Sequence, residues 1–439
     1  MTYLHAKRTH AAFSRFEAAN TLRRFFTCER ALVLAQAGWL PAIARFEVKT
    51  SLPRHLWQDM LAADSLRTRV FELRYPSRVM DTGDDAPLAH VFAAAADAPN
   101  ALAFVLGLEE VYKPALHSAY TRYLAAADPL ADGPSLRFLQ AAVRDKAAQI
   151  GELGSFRKLL DEQANDEERD AARRWADALQ AVMTALNGVS AEPRARYPAV
   201  AMELPGRRLF VPSETTARDP RFLHPHFYWP DNFDPEFPYG DGVALQLRSA
   251  VSHLNETWAT ETAGAILYAF AETLGWDFVV DAARWCYDES RHATMGYDRL
   301  LSWGYRPEEL PLANFLFDSS RGEDPIYRIG MIAYFETKNI GKKTSRAKSF
   351  GEYGDTVSQY DMEFDWADEG MHASFGVRWI KALLEARGDD PQAGPKRVAA
   401  RCDELVQLEI DSGTDAEFEE VRKIAAAVQT RALSFASDD

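Results

Sequence analysis

The sequence has few of the features that would place a chain outside a reducing, aqueous compartment. Its 439 residues include only three cysteines, and no two of them form a C-x-x-C pair. This argues against a disulfide scaffold or a zinc ribbon and favours a cytoplasmic protein. No stretch approaches about 18 uninterrupted apolar residues, and the N-terminus has no signal-peptide pattern. We therefore expect neither a membrane span nor secretion.

Positive charge is also scarce. The chain has 50 basic and 65 acidic residues, a net charge of −15, and a pI near 5.2. Such a chain should repel nucleic acids and anionic membranes unless it has a local basic patch. One patch exists, formed by Lys338, Lys342, Lys343, Arg346 and Lys348. It is either the solvated end of a helix, where cations complement the helix dipole, or a docking site for an anionic substrate or partner protein.

Alternating β-type runs are nearly absent, and most of the chain has the three- and four-residue apolar spacing of helices. The best strand candidates are residues 199–204 and 207–212, which we expect to form a short hairpin. Residues 189–242 are crowded with Pro, Asp and aromatic residues, which is typical of an ordered crossover. The sequence thus predicts an all-α protein with four segments: an N-terminal helical domain (1–188), the crossover (189–242), a helical bundle (243–390) and C-terminal helices (391–439).

Turn signals divide the predicted bundle into four helices. Gly275 and the stretch 351–354 mark turns, and Asp324-Pro325 and Asp355 are typical of helix starts. The predicted helices span residues 243–274, 277–302, 324–350 and 355–387.

Two short motifs in this region indicate chemistry. Residues 288–292 and 368–372 both read D-E-x-x-H, whereas the composition alone predicts on the order of 0.05 copies. On a helix, residues three apart share a face, so each motif directs a carboxylate and an imidazole at the same point. Mixed oxygen and nitrogen ligands suit a first-row metal such as iron or manganese.

A glutamate lies 33 residues before each motif glutamate: Glu256 in the first half and Glu336 in the second, giving two half-units with an 80-residue repeat. Two antiparallel helix pairs would bring all these side chains to one level. Glu261 is an alternative to Glu256, but its counterpart in the second half is Gly341, so the repeat favours Glu256. His253, one turn before Glu256, is either a neighbour of the site or a core histidine.

This pattern resembles the ferritin-like di-iron carboxylate superfamily, which includes rubrerythrins, ribonucleotide reductase small subunits and di-iron oxygenases. The resemblance covers about residues 243–387. It implies a ferritin-like four-helix bundle that holds two iron ions, with manganese as the alternative metal. The implied metal ligands are Glu256, Glu289, His292, Glu336, Glu369 and His372.

The same resemblance assigns roles within the two motifs. Glu289 and Glu369 are the residues expected to support catalysis. Asp288 and Asp368 are each expected to accept a hydrogen bond from a ligand histidine on the opposite helix, Asp288 from His372 and Asp368 from His292.

The N-terminal half is either an unrelated helical domain or a degenerate, metal-free copy of the bundle. Glu29 lies 35 residues before Asp64, and Glu110 lies 35 residues before Asp145. No histidine occupies the ligand positions, which are Arg67 and Ala148. Acidic residues are common enough for such spacings to arise by chance.

The resemblance implies a dioxygen-activating oxidoreductase that acts on an organic small molecule. The alternatives are a ferroxidase or iron-storage protein and a manganese catalase that scavenges peroxide. Because the sequence lacks rubredoxin-type cysteine pairs, electrons must come from a separate reductase or from the substrate. A cytoplasmic homodimer that binds neither nucleic acid nor membrane is the expected context.

Overall fold

Helices dominate the computed structural model, which describes residues 2–4, 13–75, 80 and 82–436, without the side chains of residues 336, 339 and 434–436. Helices account for 74% of the described residues. Among the described residues no strand forms, and the β-type pairing is limited to a bridge between Leu223 and Pro311. The predicted all-α class is therefore confirmed. None of the helices in this part of the chain combines the length and apolar character that a bilayer crossing needs.

The α-helices follow one another along the chain with short connections, except across residues 186–242. In order they are α1 (Arg15–Trp39), α2 (Phe46–Glu72), α3 (Ala86–Ala93), α4 (Ala101–Gly107), α5 (Lys113–Ala126), α6 (Gly133–Asp161), α7 (Asp166–Ala185), α8 (Val243–Asn255), α9 (Thr257–Leu274), α10 (Trp276–Ser302), α11 (Phe315–Asp318), α12 (Ile326–Glu352), α13 (Thr356–Arg387), α14 (Gly394–Asp411) and α15 (Asp415–Ala436).

Two compact units divide the chain. The first comprises Met1–Gln36 and Arg54–Val211, and the second comprises Ala37–Pro53 and Pro212–Asp439. The crossover predicted for residues 189–242 is thus shared between them.

The hairpin predicted for residues 199–212 is wrong. Leu204 and Arg207 do form a turn around Gly206, but the two arms do not pair. The second arm is held by Asp97 instead: its carboxylate accepts from Arg207 Nε at 2.8 Å and from the Phe210 amide at 3.0 Å. A side chain remote in sequence therefore takes the hydrogen bonds that a strand partner would have made.

Four helices of the second unit pack in a ring of pairwise contacts. Helix α9 packs on α10, α10 on α13, α13 on α12, and α12 on α9. The predicted turn at Gly275 is present, with a positive φ of 80°. The carboxylate of Asp355 caps α13 by accepting from the Ser358 amide at 3.0 Å. The helix predicted for 243–274 is broken, since Glu256 has ψ near 0° and separates α8 from α9.

Two glycines let the paired helices approach closely. A Cβ on Gly296 in α10 would lie 2.3 Å from the Leu254 amide nitrogen in α8. A Cβ on Gly376 in α13 would lie 2.2 Å from the Ala333 Cβ in α12. Each glycine lies four residues after a motif histidine, so the close approach occurs one turn from the predicted ligands.

The first unit contains a fully buried cluster of four charges, one from each of α1, α2, α5 and α6: Glu29, Asp59, Lys113 and Lys146. Lys146 Nζ lies 2.7 Å from Glu29 and 2.5 Å from Asp59, and Lys113 also donates to Asp59. Burial lowers the pKa of Lys113 to about 8 despite the neighbouring Asp59, so it remains charged at neutral pH. Two ammonium groups thus balance two carboxylates.

This cluster differs from the spacing noted in the sequence. Of the four acidic residues that suggested a degenerate copy, only Glu29 belongs to it; Glu110, for example, pairs with Arg173 near the surface instead. The 33-residue interval does recur between Lys113 and Lys146. Gln149 follows three residues later and accepts from Lys113 Nζ at 3.0 Å. Lysines therefore stand where a metal site would need carboxylates.

We expect Lys146→Met to destabilise the first unit by about 3–5 kcal/mol, because it leaves a buried carboxylate without its counter-charge. The measurement is chemical denaturation followed by circular dichroism. Lys158→Met, on the exposed face of the same helix, is the matched control and should change stability by less than about 0.5 kcal/mol. Equal effects of the two substitutions would contradict a structural role for the cluster.

Candidate metal centre

The ring of four helices encloses two overlapping groups of side chains that could hold metal ions. One group consists of Glu256, His292, Asp365 and Glu369, and the other of Glu289, Glu369 and His372. Within each group, every residue offers a ligand atom within 4.8 Å of the others. Apart from Glu256, all of these residues are buried. Glu369 is common to both groups, so the two sites adjoin.

The two motif histidines have the same orientation. Nδ1 of His292 lies 3.3 Å from Glu256 and 3.5 Å from Glu289, and Nδ1 of His372 lies 3.1 Å from Glu289. Nε2 of His292 lies 3.4 Å from Asp368, and Nε2 of His372 lies 3.4 Å from Asp288. These are the two opposite-helix contacts expected from the sequence. A proton on Nε2 leaves the Nδ1 lone pair directed at the carboxylates.

Two arginines join the aspartates into one network. Arg284 contacts Asp288 at 2.6 Å and Asp368 at 3.3 Å, and Arg291 contacts them at 2.7 and 2.8 Å. Both aspartates therefore have positive partners. Burial works against ionisation of Asp368, but the hydrogen bond from His292 and the charge of Arg291 keep its pKa below the usual range. An ionised aspartate is the acceptor that orients an imidazole and increases its strength as a ligand.

Several atoms at the centre of the cluster have no hydrogen-bond partner within the described part of the chain. They are Glu256 Oε2, Glu289 Oε1, His292 Nδ1 and Glu369 Oε2. Buried polar atoms are nearly always hydrogen-bonded, so unsatisfied atoms converging at one place call for an additional group. All four belong to residues that the sequence identifies as ligands. The donor set therefore fits a metal.

The structure brings together five of the six predicted ligands, namely Glu256, Glu289, His292, Glu369 and His372. The side chain of Glu336 lies outside the described part of the structure, and its ligand role stays a prediction. Glu261 does not join the cluster, because Lys49 and Arg218 both donate to its Oε1.

Asp365 and Lys343 are members of the cluster that the sequence analysis missed. Lys343 Nζ donates to Asp365 at 2.5 Å and to Glu369 at 2.6 Å. Asp365 precedes Glu369 by one helical turn, and this spacing could have indicated it. Lys343 was assigned to a solvated or docking patch, whereas its side chain is only 5% exposed; nothing local distinguishes it from Lys342.

His253 supports Asp365 from the other side. Its Nδ1 accepts from Arg299 at 2.6 Å, so its proton is on Nε2, which donates to Asp365 at 2.9 Å. Burial lowers the pKa of His253, in keeping with a neutral ring. The sequence left open whether His253 is a neighbour of the site or a core histidine. The structure places it next to the site.

The two half-units are not equivalent. The position that corresponds to Asp365 in the first half, 80 residues earlier, is Trp285, whose ring lies 5.5 Å from that of His372. One group therefore contains an extra carboxylate where the other has an indole. The two groups thus offer unequal sets of ligand atoms.

Electrostatics at the centre favours a cation. Burial and the adjacent Glu289 raise the pKa of Glu369 to about 7, although Lys343 opposes the rise. The adjacent carboxylates thus cannot all remain charged without positive partners, a condition that bound metal ions satisfy.

A cavity of about 330 Å³ adjoins the cluster and is lined in part by Glu256, Glu289 and Glu369. Its wall includes three residues of the basic patch, Lys338, Lys342 and Arg346, in addition to the buried Lys343. Lys348 is not part of this lining; it is exposed and lies 3.8 Å from Glu352. The patch identified in the sequence is therefore divided among three environments.

Comparison with known proteins gives one similarity. Residues 241–433 match the family described as "Protein of unknown function (DUF455)". No curated protein and no solved structure shows significant similarity to the chain. The matched stretch contains all the predicted ligands and the residues around them. The repeated motif is longer than D-E-x-x-H, since both copies read D-E-x-x-H-A-x-x-G, with the last residue at Gly296 and Gly376.

We expect Asp288→Asn and Asp368→Asn each to lower metal affinity by about 10- to 100-fold, because an amide orients an imidazole less strongly than a carboxylate does. Anaerobic titration of Fe(II) against a chromophoric chelator measures the affinity. Asp281→Asn is the control on the same helix, because Asp281 contacts Arg378 and Trp379. Unchanged affinity in both test variants would mean that something else orients the histidines.

Proposed function

We propose that this protein is a dioxygen-activating, non-haem di-iron oxidoreductase with a ferritin-like bundle, acting on an organic small molecule. The observation that carries the proposal is the convergence of unsatisfied ligand atoms from both half-units on one buried point. Carboxylates and imidazoles in this combination suit iron, with manganese as the alternative.

Two groups of residues would each hold one ion. Glu256, His292, Asp365 and Glu369 would hold one ion, and Glu289, Glu369 and His372 the other, with Glu336 as the further ligand implied by the sequence. Lys343 compensates part of the negative charge of the four described carboxylates, and bound divalent ions would compensate the rest. Glu369 belongs to both groups and would contribute to holding both ions.

The bound ions would supply redox chemistry, reducing dioxygen and oxidising the substrate. Residues of the chain orient the ligand atoms that would hold the ions. Asp288 and Asp368 contact the Nε2 atoms of the histidines and so direct their Nδ1 atoms inward. Lys343 holds a proton between Asp365 and Glu369 and leaves Glu369 Oε2 without a hydrogen bond. The surrounding helices bury the side chains of Glu289, His292, Asp365, Glu369 and His372.

The first test is metal content. We expect two iron ions per chain after anaerobic reconstitution, because two donor groups adjoin at the centre. Elemental analysis combined with protein quantification measures the ratio. One ion or none per chain would overturn the di-iron assignment.

The second test removes a central carboxylate. Glu289→Ala or Glu369→Ala should abolish metal-dependent oxygen consumption while the helical circular dichroism spectrum is retained, since apolar faces hold the helices together. Glu363→Ala, exposed on the same helix as Glu369, is the control and should keep full activity. Full oxygen uptake by either test variant would refute the assignment.

Metal-reconstituted protein also tests the two alternative functions, a manganese catalase and an iron-storage protein. Oxygen release from hydrogen peroxide by the manganese-loaded protein would favour a catalase. Uptake of iron far beyond two ions per chain would favour storage. We expect neither, but instead oxygen consumption that requires reduced iron.

A further inference from the structure

We propose that the cavity beside the metal centre binds a small organic anion with an aromatic or otherwise apolar body. This names the substrate class of the proposed oxidoreductase and so rests on that function for its catalytic meaning. The volume of about 330 Å³ lies at the lower end of the range for small-molecule sites. Because Glu256, Glu289 and Glu369 contribute to its lining, a bound molecule would lie next to the ions.

The cationic wall of the cavity comes from one helix. Lys338, Lys342 and Arg346 follow one another at four-residue intervals on α12, so they share a face, and all three line the cavity. This helix has six basic and two acidic residues, whereas the whole chain has a net charge of −15. Positive charge is therefore concentrated where the cavity lies.

Two of these cations have no carboxylate partner among the described residues. Lys338 lies 3.7 Å from Asp403, which compensates part of its charge. Arg346, by contrast, donates to the Tyr239 hydroxyl and lies over its ring at 4.6 Å. Lys342 is exposed and makes no ion pair in the described chain. Lys342 and Arg346 can therefore pair with an anion brought from solution.

Arg248 adds a buried guanidinium to the same cavity. It pairs with Asp231 at 2.9 Å and packs over the rings of Tyr228 and Tyr239 at 5.3 and 4.9 Å. It is only 5% exposed, and its Nη1 has no hydrogen-bond partner among the described residues. A buried donor of this kind usually has an acceptor, and an anionic ligand would supply one.

Aromatic side chains form another part of the wall, which also includes Asp231 and Asp403. Tyr228, Tyr239, Trp258 and Phe335 all line the cavity. Such rings bury an apolar or aromatic body well, while a concave space of this size admits a small molecule rather than the surface of an acidic protein. The cavity thus combines an apolar wall for the body with cations for the charge.

The test measures binding by the full-length, metal-free protein, so that the probe cannot bind to a metal ion. Benzoate and phenyl phosphate are the anionic probes, and benzamide is the neutral control of similar shape. Isothermal titration calorimetry should show that the anions bind at least about tenfold more tightly than benzamide. The double variant Lys342→Met/Arg346→Met should lose at least about tenfold in affinity for the anions, as expected for lost charge-assisted hydrogen bonds. Lys348→Met, on the same helix but outside the cavity lining, should stay within about twofold.

Three results would overturn the proposal: equal binding of benzamide and benzoate, unchanged affinity in the double variant, or no binding of either anion. Metal content separates this inference from the proposed function. Protein that binds benzoate but no iron would contradict only the oxidoreductase, and protein that binds two irons but no anion would contradict only the anion site.

Discussion

Burying several carboxylates at one point is costly unless positive charge accompanies them, and both units of this chain are organised around that constraint. In the first unit, Lys113 and Lys146 neutralise Glu29 and Asp59 completely, and each ammonium group is held by hydrogen bonds. In the second unit, a single lysine, Lys343, faces a larger set of carboxylates. The remaining positive charge must come from the imidazoles or from bound ions. The first cluster is complete as it stands, whereas the second retains unsatisfied ligand atoms.

The helices of the second unit are shaped to make this centre. The interruption at Glu256 turns α8 into α9 at the level where its carboxylate meets His292. Gly296 and Gly376 bring the paired helices so close that even a methyl group would collide with the neighbouring helix. Close packing reduces the distance that the acidic side chains must span.

Acidic and basic side chains line different sides of the cavity. Acidic ligands line the side next to the centre, and Lys342 and Arg346 line the side formed by α12. Lys343, adjacent to Lys342 in sequence, points instead into the acidic cluster because successive residues on a helix are rotated by about 100°. One short basic run therefore provides both the internal counter-charge and the external cationic wall.

By itself, the sequence determined the all-α class, the helix boundaries near Gly275 and Asp355, and five residues that meet at the centre. These features are readable because they are periodic or local: a Glu-x-x-His on one helical face, a 33-residue interval between paired helices, a cap beside a turn. Only the tertiary structure decided that Lys343 joins the cluster, that Glu261 pairs with Lys49 and Arg218, and that residues 199–212 form no hairpin. Each of these outcomes depends on a partner from another element of the fold, whose proximity no local pattern encodes. The role of a carboxylate depends on which cation or ligand lies next to it, and the packing of the helices determines this.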